Sequence, residues 1–195
     1  MRSIKVAVIF VFIFLSGCSF FSPVKTPTNT YLLNKIPCVS SQKMRYSSLL
    51  VTMPTTSSIY STTQIAYSKH PYQITYFANN VWAATPTEML QSAMVQTLQN
   101  THAFRSISSS NTLEHYDVIL NTQLVKLQQN FCAQGSEVML VMRAQLVNAS
   151  TARVIRAKEF TMTEPAPLCS PYGGVVAANR ATESFLRQLT YFVTR

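Results

Sequence analysis

Acidic residues are scarce in this 195-residue chain: one aspartate, Asp117, and six glutamates stand against 16 lysines and arginines, for a net charge of +9. Glycoside cleavage by paired carboxylates needs two acids close in space, and so few acids argue against it. Histidine is scarcer still, at three residues. His70, His102 and His115 could each be drawn into a Ser/His/acid triad on paper, but the chain has no nucleophile elbow. His115 and Asp117 share one face of a strand start, a spacing that more often makes a solvated pair than a base with its orienter. The four cysteines include no Cys-x-x-Cys pair, so they carry no zinc signature. The only adjacent glycines, Gly173-Gly174, precede a helical segment. A positive φ at a strand-to-helix corner is a commoner reason for such a pair than anion binding. The expectation is a protein with no catalytic residues, no metal site and no cofactor.

What the chain does have is a distinctive N-terminus. Arg2 and Lys5 precede an unbroken apolar run at residues 6–15, followed by Leu15-Ser16-Gly17-Cys18. This is the layout of a secretory signal peptide. The run is about half the roughly 20 residues needed to span a bilayer, which argues against a transmembrane anchor. Leu-Ser-Gly-Cys resembles the lipobox of bacterial lipoproteins. The resemblance implies cleavage between Gly17 and Cys18, with acyl chains on the Cys18 sulfur and on the new amino terminus. Each buried methylene of those chains adds about 0.8 kcal/mol, so three chains anchor firmly. Ser19 follows the cysteine where an aspartate would retain the protein at the inner membrane. By resemblance to enterobacterial sorting, it points to the periplasmic face of the outer membrane. The expected organisation is a signal peptide at 1–17, a lipidated tether at 18–30 and one domain at 31–195.

Loss of residues 1–17 removes two positive charges and no acid, so the mature chain carries +7. Basic proteins can bind nucleic acid, anionic lipid or acidic partners. Export makes nucleic acid an unsuitable partner, and the positive charges are scattered rather than clustered. No second long apolar run follows, so the body is expected to be soluble. Cys38, Cys132 and Cys169 remain after Cys18 is acylated, in a compartment that permits disulfides. Free buried thiols are one reading and a single bridge is the other.

The body alternates short strands with two helices. Strand candidates lie at 31–33 and 47–53, followed by a polar loop at 55–63. Segments 64–67 and 72–77 flank a turn at Lys69-His70-Pro71, with Tyr72, Ile74 and Tyr76 on one face. Thr85-Pro86-Thr87-Glu88 combines an N-cap, a proline at the first helical position and a capping-box glutamate, and predicts a helix to about Asn100. Leu90, Ala93, Met94, Thr97 and Leu98 form its apolar stripe. A serine-rich turn follows Phe104 and Ile107. Three long strands are predicted at 116–128, 137–148 and 153–164, then a helix over 175–192 with Ala178, Ala181, Phe185, Leu189 and Phe192 buried. This is an α+β pattern: one mixed or antiparallel sheet with two helices on one face. Consecutive antiparallel strands put Cys132 and Cys169 at one end of that sheet, which points to a Cys132–Cys169 bridge worth about 3–4 kcal/mol, with Cys38 free. Trp82, the only tryptophan, is expected to be a structural anchor at the helix entry rather than a ligand platform. Methionines 89, 94, 139, 142 and 162 are expected to fill the core.

The order of these features resembles the ABC-type transport auxiliary lipoprotein family, which includes the lipoprotein of the paraquat-inducible MCE lipid-transport system. The resemblance rests on the lipobox, the strand closing on Met53-Pro54, the hairpin at 64–77, Trp82 with Pro86 and Leu90, the meander segment from Gly135 to Ala144 and the alanine-rich last helix. It covers roughly residues 30–192. Two departures from the family pattern bear on partner choice: Ser61-Thr62-Thr63 stands where the family often has Asp-Arg, and Ala84 where it often has an acid. The resemblance implies a domain similar to the N-terminal domain of TolB. It also implies a non-catalytic role beside an MCE-domain protein and an ABC permease and ATPase, and a domain able to form homo-oligomers. Service in another envelope machine, such as lipopolysaccharide assembly or a secretion pilotin, is the alternative.

Overall fold

The computed structural model describes residues 27–39, 46–110 and 115–194. Gly17, Cys18 and the signal segment lie outside these. The sheet is organised around one long strand, β7 (Val118–Cys132). One edge of β7 pairs antiparallel with β8 (Gly135–Asn148), and β8 pairs in turn with β9 (Val154–Pro165), completing the expected meander. The other edge of β7 takes three short strands in series, all parallel to it: β2 (Tyr46–Val51), β3 (Thr55–Thr56) and β4 (Gln64–Ser68). Pro54 separates β2 from β3 because proline has no N–H to give a ladder. Outside β2 lies β6 (Phe104–Ser108), parallel to it. Outside β4 lies β5 (Thr75–Trp82), antiparallel, and β1 (Asn29–Tyr31) runs parallel along β5. The result is one mixed sheet, as the sequence pattern indicates.

Helix α1 (Pro86–Asn100) packs on β2 and β6, helix α2 (Pro171–Thr194) packs on β8 and β9, and the helices touch each other. The capping box forms as read from the sequence: the Thr85 N–H donates to Glu88 at 2.9 Å and the Glu88 N–H donates to Thr85 Oγ1 at 3.4 Å. The predicted stripe of α1 is buried throughout. Leu120, Leu124, Leu140, Met142, Phe160 and Phe185 fill the space between sheet and helices, with Phe160 edge-on to Phe185 at 5.4 Å.

Several sequence expectations need correction. The segment after α1 is a strand, β6, and the serine-rich turn begins only after it. The polar stretch 55–63 holds β3 and a single 3₁₀ turn (Ser58–Tyr60) that buries Tyr60. Helix α2 starts at Pro171, so Gly173 and Gly174 are inside its first turn and not at a corner before it. Their role is close approach: a Cβ on Gly173 would sit 2.1 Å from the Leu168 carbonyl oxygen, and one on Gly174 2.1 Å from Gln129 Oε1. Tyr72 lies in a turn with φ of 65° and is fully exposed, so it does not extend the apolar face of β5.

Candidate functional site

Strand β7 carries a bulge at Val125: Leu124 pairs with Met142 and Lys126 with Val141, leaving one residue over. A bulge inserts an extra residue without changing the partner strand, so the alternation of faces slips by one. Before it, Val118, Leu120, Thr122 and Leu124 face the helices; after it, Leu127 and Gln129 do, both buried. Lys126, Gln128 and Asn130 consequently point to the opposite face. The β4–β5 hairpin and the 3₁₀ turn cover that face and leave an open cleft of about 600 Å³ between them.

The cleft has a fixed floor and a cationic, apolar rim. Tyr60 donates its hydroxyl to Gln128 Oε1 at 2.8 Å, and Gln128 Nε2 donates to Asn130 Oδ1 at 2.6 Å. Burial first, then the neighbouring Tyr76, pushes the Tyr60 hydroxyl up to about 12, so it remains a neutral donor. Tyr76 donates to the Ile59 carbonyl at 3.1 Å and fixes the 3₁₀ turn against β5. The tip of the hairpin is a closed turn in which Ser68 Oγ and the Gln73 N–H both donate to the His70 carbonyl. Tyr67 and Phe77 stack at 4.3 Å with Phe131 edge-on to both, on the side of the sheet that Gln129 faces, because Tyr67 pairs with Gln129. Lys69, His70 and Lys126 line the opening, and no carboxylate does. Ile59, Tyr72 and Ile74 are exposed on its rim. His70 has no acid beside it in the lining.

The residues singled out in the sequence go elsewhere. Trp82 ends β5, buried among the core residues ahead of α1. Its backbone N–H donates to the Thr63 carbonyl at 2.7 Å, and its side chain lies with Ile65, Leu127 and Ala178 around a small internal void. Cys132 and Cys169 do stand at the same end of the sheet, but the expected bridge is not formed. Both are free and exposed, as is Cys38, and Cys132 Sγ lies 3.4 Å from the Gly135 carbonyl across its own tight turn. Asp117 does not orient His115. Its carboxylate accepts from the Ser47 and Ser48 N–H groups at 2.6 and 3.0 Å and pins the start of β2. Among the described residues no group of three His, Cys, Asp or Glu side chains could hold a metal ion, and no helix is long and apolar enough to cross a membrane.

Local spacing could not reveal the cleft, because β4 and its hairpin come beside β7 only through the parallel pairing of the two strands. A second surface feature was also missed. Asn179 on α2 accepts from the Asn34 and Lys35 N–H groups and donates to the Leu32 carbonyl. Glu183 binds Lys35 and Arg187, each at 2.8 Å, and these cations hold its carboxyl below the usual glutamate range. Together they strap the chain following β1 onto the helix.

Comparison with known proteins places this geometry in a lineage. Among curated proteins, none matches the sequence. A crystal structure of a Xanthomonas campestris protein of the DUF330 family superposes with a TM-score of 0.78 at 17% identity, covering 86% of this chain and 95% of that one. An uncharacterized protein superposes with a TM-score of 0.70 at 14% identity, covering 86% and 99%. Identities this low establish the shared fold alone. The sequence itself matches the family of ABC-type transport auxiliary lipoprotein components over residues 31–190, almost the whole described body. This chain therefore belongs to the ABC-type transport auxiliary lipoprotein family, as a membrane-anchored envelope protein that assists an ABC transport system.

Proposed function

We propose that the protein is the lipid-anchored, non-catalytic auxiliary component of an MCE-type ABC transporter that moves phospholipids or other hydrophobic molecules between the two envelope membranes. In this reading residues 1–17 are removed, Cys18 is acylated, and residues 18–30 tether the domain to the periplasmic face of the outer membrane. Ser19 after the acylated cysteine supports the choice of membrane. The domain docks on an MCE-domain protein, alongside the permease and ATPase, and self-association belongs to the same reading. The observation that carries the proposal is the family match across the folded body, joined to an acylation motif at Cys18.

Two measurements test it. Labelled palmitate should enter the wild-type protein and not Cys18→Ser, and the label should fractionate with the outer membrane. Crosslinking in native envelopes should recover an MCE-domain protein. Recovery only of secretion or lipopolysaccharide-assembly proteins would remove the transporter reading.

A further inference from the structure

One long edge of the sheet has no strand beside it. Strand β9 pairs with β8 along its length, and among the described residues no strand lies on its other side. The pairing is regular from Arg156 to Pro165. Just beyond the strand, the Ala166 N–H donates to the Ser136 carbonyl at 2.9 Å. Hydrogen-bonding direction alternates along a strand, so Arg156, Lys158, Phe160, Met162 and Glu164 also turn their N–H and C=O groups to β8. Ala157, Glu159, Thr161 and Thr163 turn theirs to solvent, and all four residues are exposed. Pro165 falls in the same outward set, where its missing N–H breaks no ladder. Folded proteins blunt such edges with prolines, bulges and lysines. Here the bulge at Ile155 and Pro165 stand at the two ends and leave the stretch between them regular.

The charges along this edge complement themselves. Lys158 and Glu164 belong to no ion pair among the described residues, whereas Glu159 is held by Arg143. Lys158 Nζ lies 4.8 Å from the Phe160 ring centroid, and Glu164 accepts from Ser184 Oγ at 3.3 Å. Both side chains lie on the helix side of the sheet, because they pair with Ala144 and Val138, which are buried in the core there. A second β9 laid antiparallel against the first, with a two-fold axis through Thr161, sets Lys158 of each copy opposite Glu164 of the other. The same register makes Thr161 a hydrogen-bonded pair with itself and Glu159 one with Thr163. An axis through Lys158 or Glu159 would instead set like charges opposite each other, which is destabilising. Helix α2 fits this arrangement. Ser184, Gln188 and the Phe192 carbonyl bind Glu164, Met162 and Arg156, so α2 runs above β8 and β9. Strands about 4.8 Å apart then bring the two α2 helices to about 10 Å, a helix-packing distance, with the half-exposed Tyr191 on that side.

We propose that the β9 edge is a self-association surface on which a second copy of this chain pairs antiparallel, with Thr161 on the two-fold axis and a Lys158–Glu164 ion pair on either side of it. The two sheets join into one, and β9 is no longer an edge. The proposal rests on the transporter reading for self-association and adds its surface and symmetry; its test needs no other component of the transporter.

The test uses the full mature chain with Cys18, Cys38, Cys132 and Cys169 replaced by serine, which removes the acyl anchor and every native thiol. Sedimentation equilibrium should show a monomer–dimer equilibrium. Lys158→Glu and Glu164→Lys should each weaken the dimer at least about tenfold, because the symmetry makes every like-charge pair occur twice. The double reversal should restore the dimer to within about threefold of the parent, a recovery that misfolding of a single variant could not produce. Thr161→Cys, at an exposed position, should oxidise to a covalent dimer, since hydrogen-bonded partners stand with Cα atoms about 5.5 Å apart. Thr163→Cys should not, because its partner across the axis is Glu159. A parent chain still monomeric at about 1 mM overturns the proposal. A dimer unchanged by both single reversals, or equal crosslinking at Thr161→Cys and Thr163→Cys, overturns this surface and leaves self-association standing. Crosslinking of Thr161→Cys in native envelopes to a different protein and not to itself overturns it in favour of a partner strand. Recovery of an MCE-domain protein by crosslinking depends on none of these results, so the two failures are distinguishable.

Discussion

Leu124 and Leu127 of β7 are almost fully buried against the helices, whereas Lys126 and Asn130 of the same strand face the hairpin cleft. The helix side is built from leucine, methionine, phenylalanine and alanine, with glycine where helix and sheet come closest. The other side holds lysine, glutamine, asparagine and tyrosine, joined by hydrogen bonds to a short turn. Both faces share a backbone, so the difference is a property of side chains and of the bulge at Val125 that assigns them. The lesson is a division of labour: one face holds the domain together, and the other is free to meet a ligand.

Substitutions on the two faces should separate stability from binding. The largest effect on folding is expected at Phe185, wholly buried and edge-on to Phe160. Phe185→Ala should cost about 3–5 kcal/mol in urea unfolding. Next come the helix glycines. Gly173→Ala drives a Cβ into backbone at Leu168 and should cost about 1–3 kcal/mol. Gly174→Ala meets the amide end of Gln129, which can turn aside, and should cost less. Thr85→Ala removes the α1 cap and should cost about 1 kcal/mol.

The acid response follows from two carboxylates. Glu88 is lowered from the ordinary glutamate value of 4.5 by its hydrogen bonds from Thr85, and Glu183 by Lys35 and Arg187. A lowered folded value means that these contacts contribute fully above 4.5 and are lost as the pH falls through the lowered values. The urea midpoint of wild type should therefore converge on that of Glu183→Gln as the solution is acidified below 4.5. A difference that stays constant with pH would contradict the strap on α2. The smallest effect on stability is expected across the sheet: Lys69→Glu and Lys126→Glu should shift unfolding by no more than about 0.5 kcal/mol, although they alter the cleft.

How much of this could be read from the sequence depends on how local the determinant is. The cap at Thr85, the stripe of α1, the buried residues of α2 and the meander are written in spacings of two, three or four residues. Strand β6 escaped because its five residues carry little alternation and its partner, β2, lies far upstream and parallel to it. Gly173 and Gly174 suggested a corner because their need for space comes from Leu168 and Gln129, which only the fold brings near. The cysteines were placed correctly at one end of the sheet, but topology fixes an end and not a pair of sulfurs. The cleft had one local signal, the break in alternation at Leu124-Val125-Lys126-Leu127. Without the β4–β7 pairing, that break has no meaning.

The central claim, that the bulge at Val125 turns one face of β7 to the core and the other to the hairpin cleft, is tested most directly by thiol labelling. In the mature chain with Cys18, Cys38, Cys132 and Cys169 replaced by serine, Lys126→Cys and Leu127→Cys are each exposed to a maleimide. The bulge predicts rapid labelling of folded Lys126→Cys and protection of Leu127→Cys until urea unfolds it. Equal labelling of the two folded variants, or labelling of Leu127→Cys alone, would contradict it.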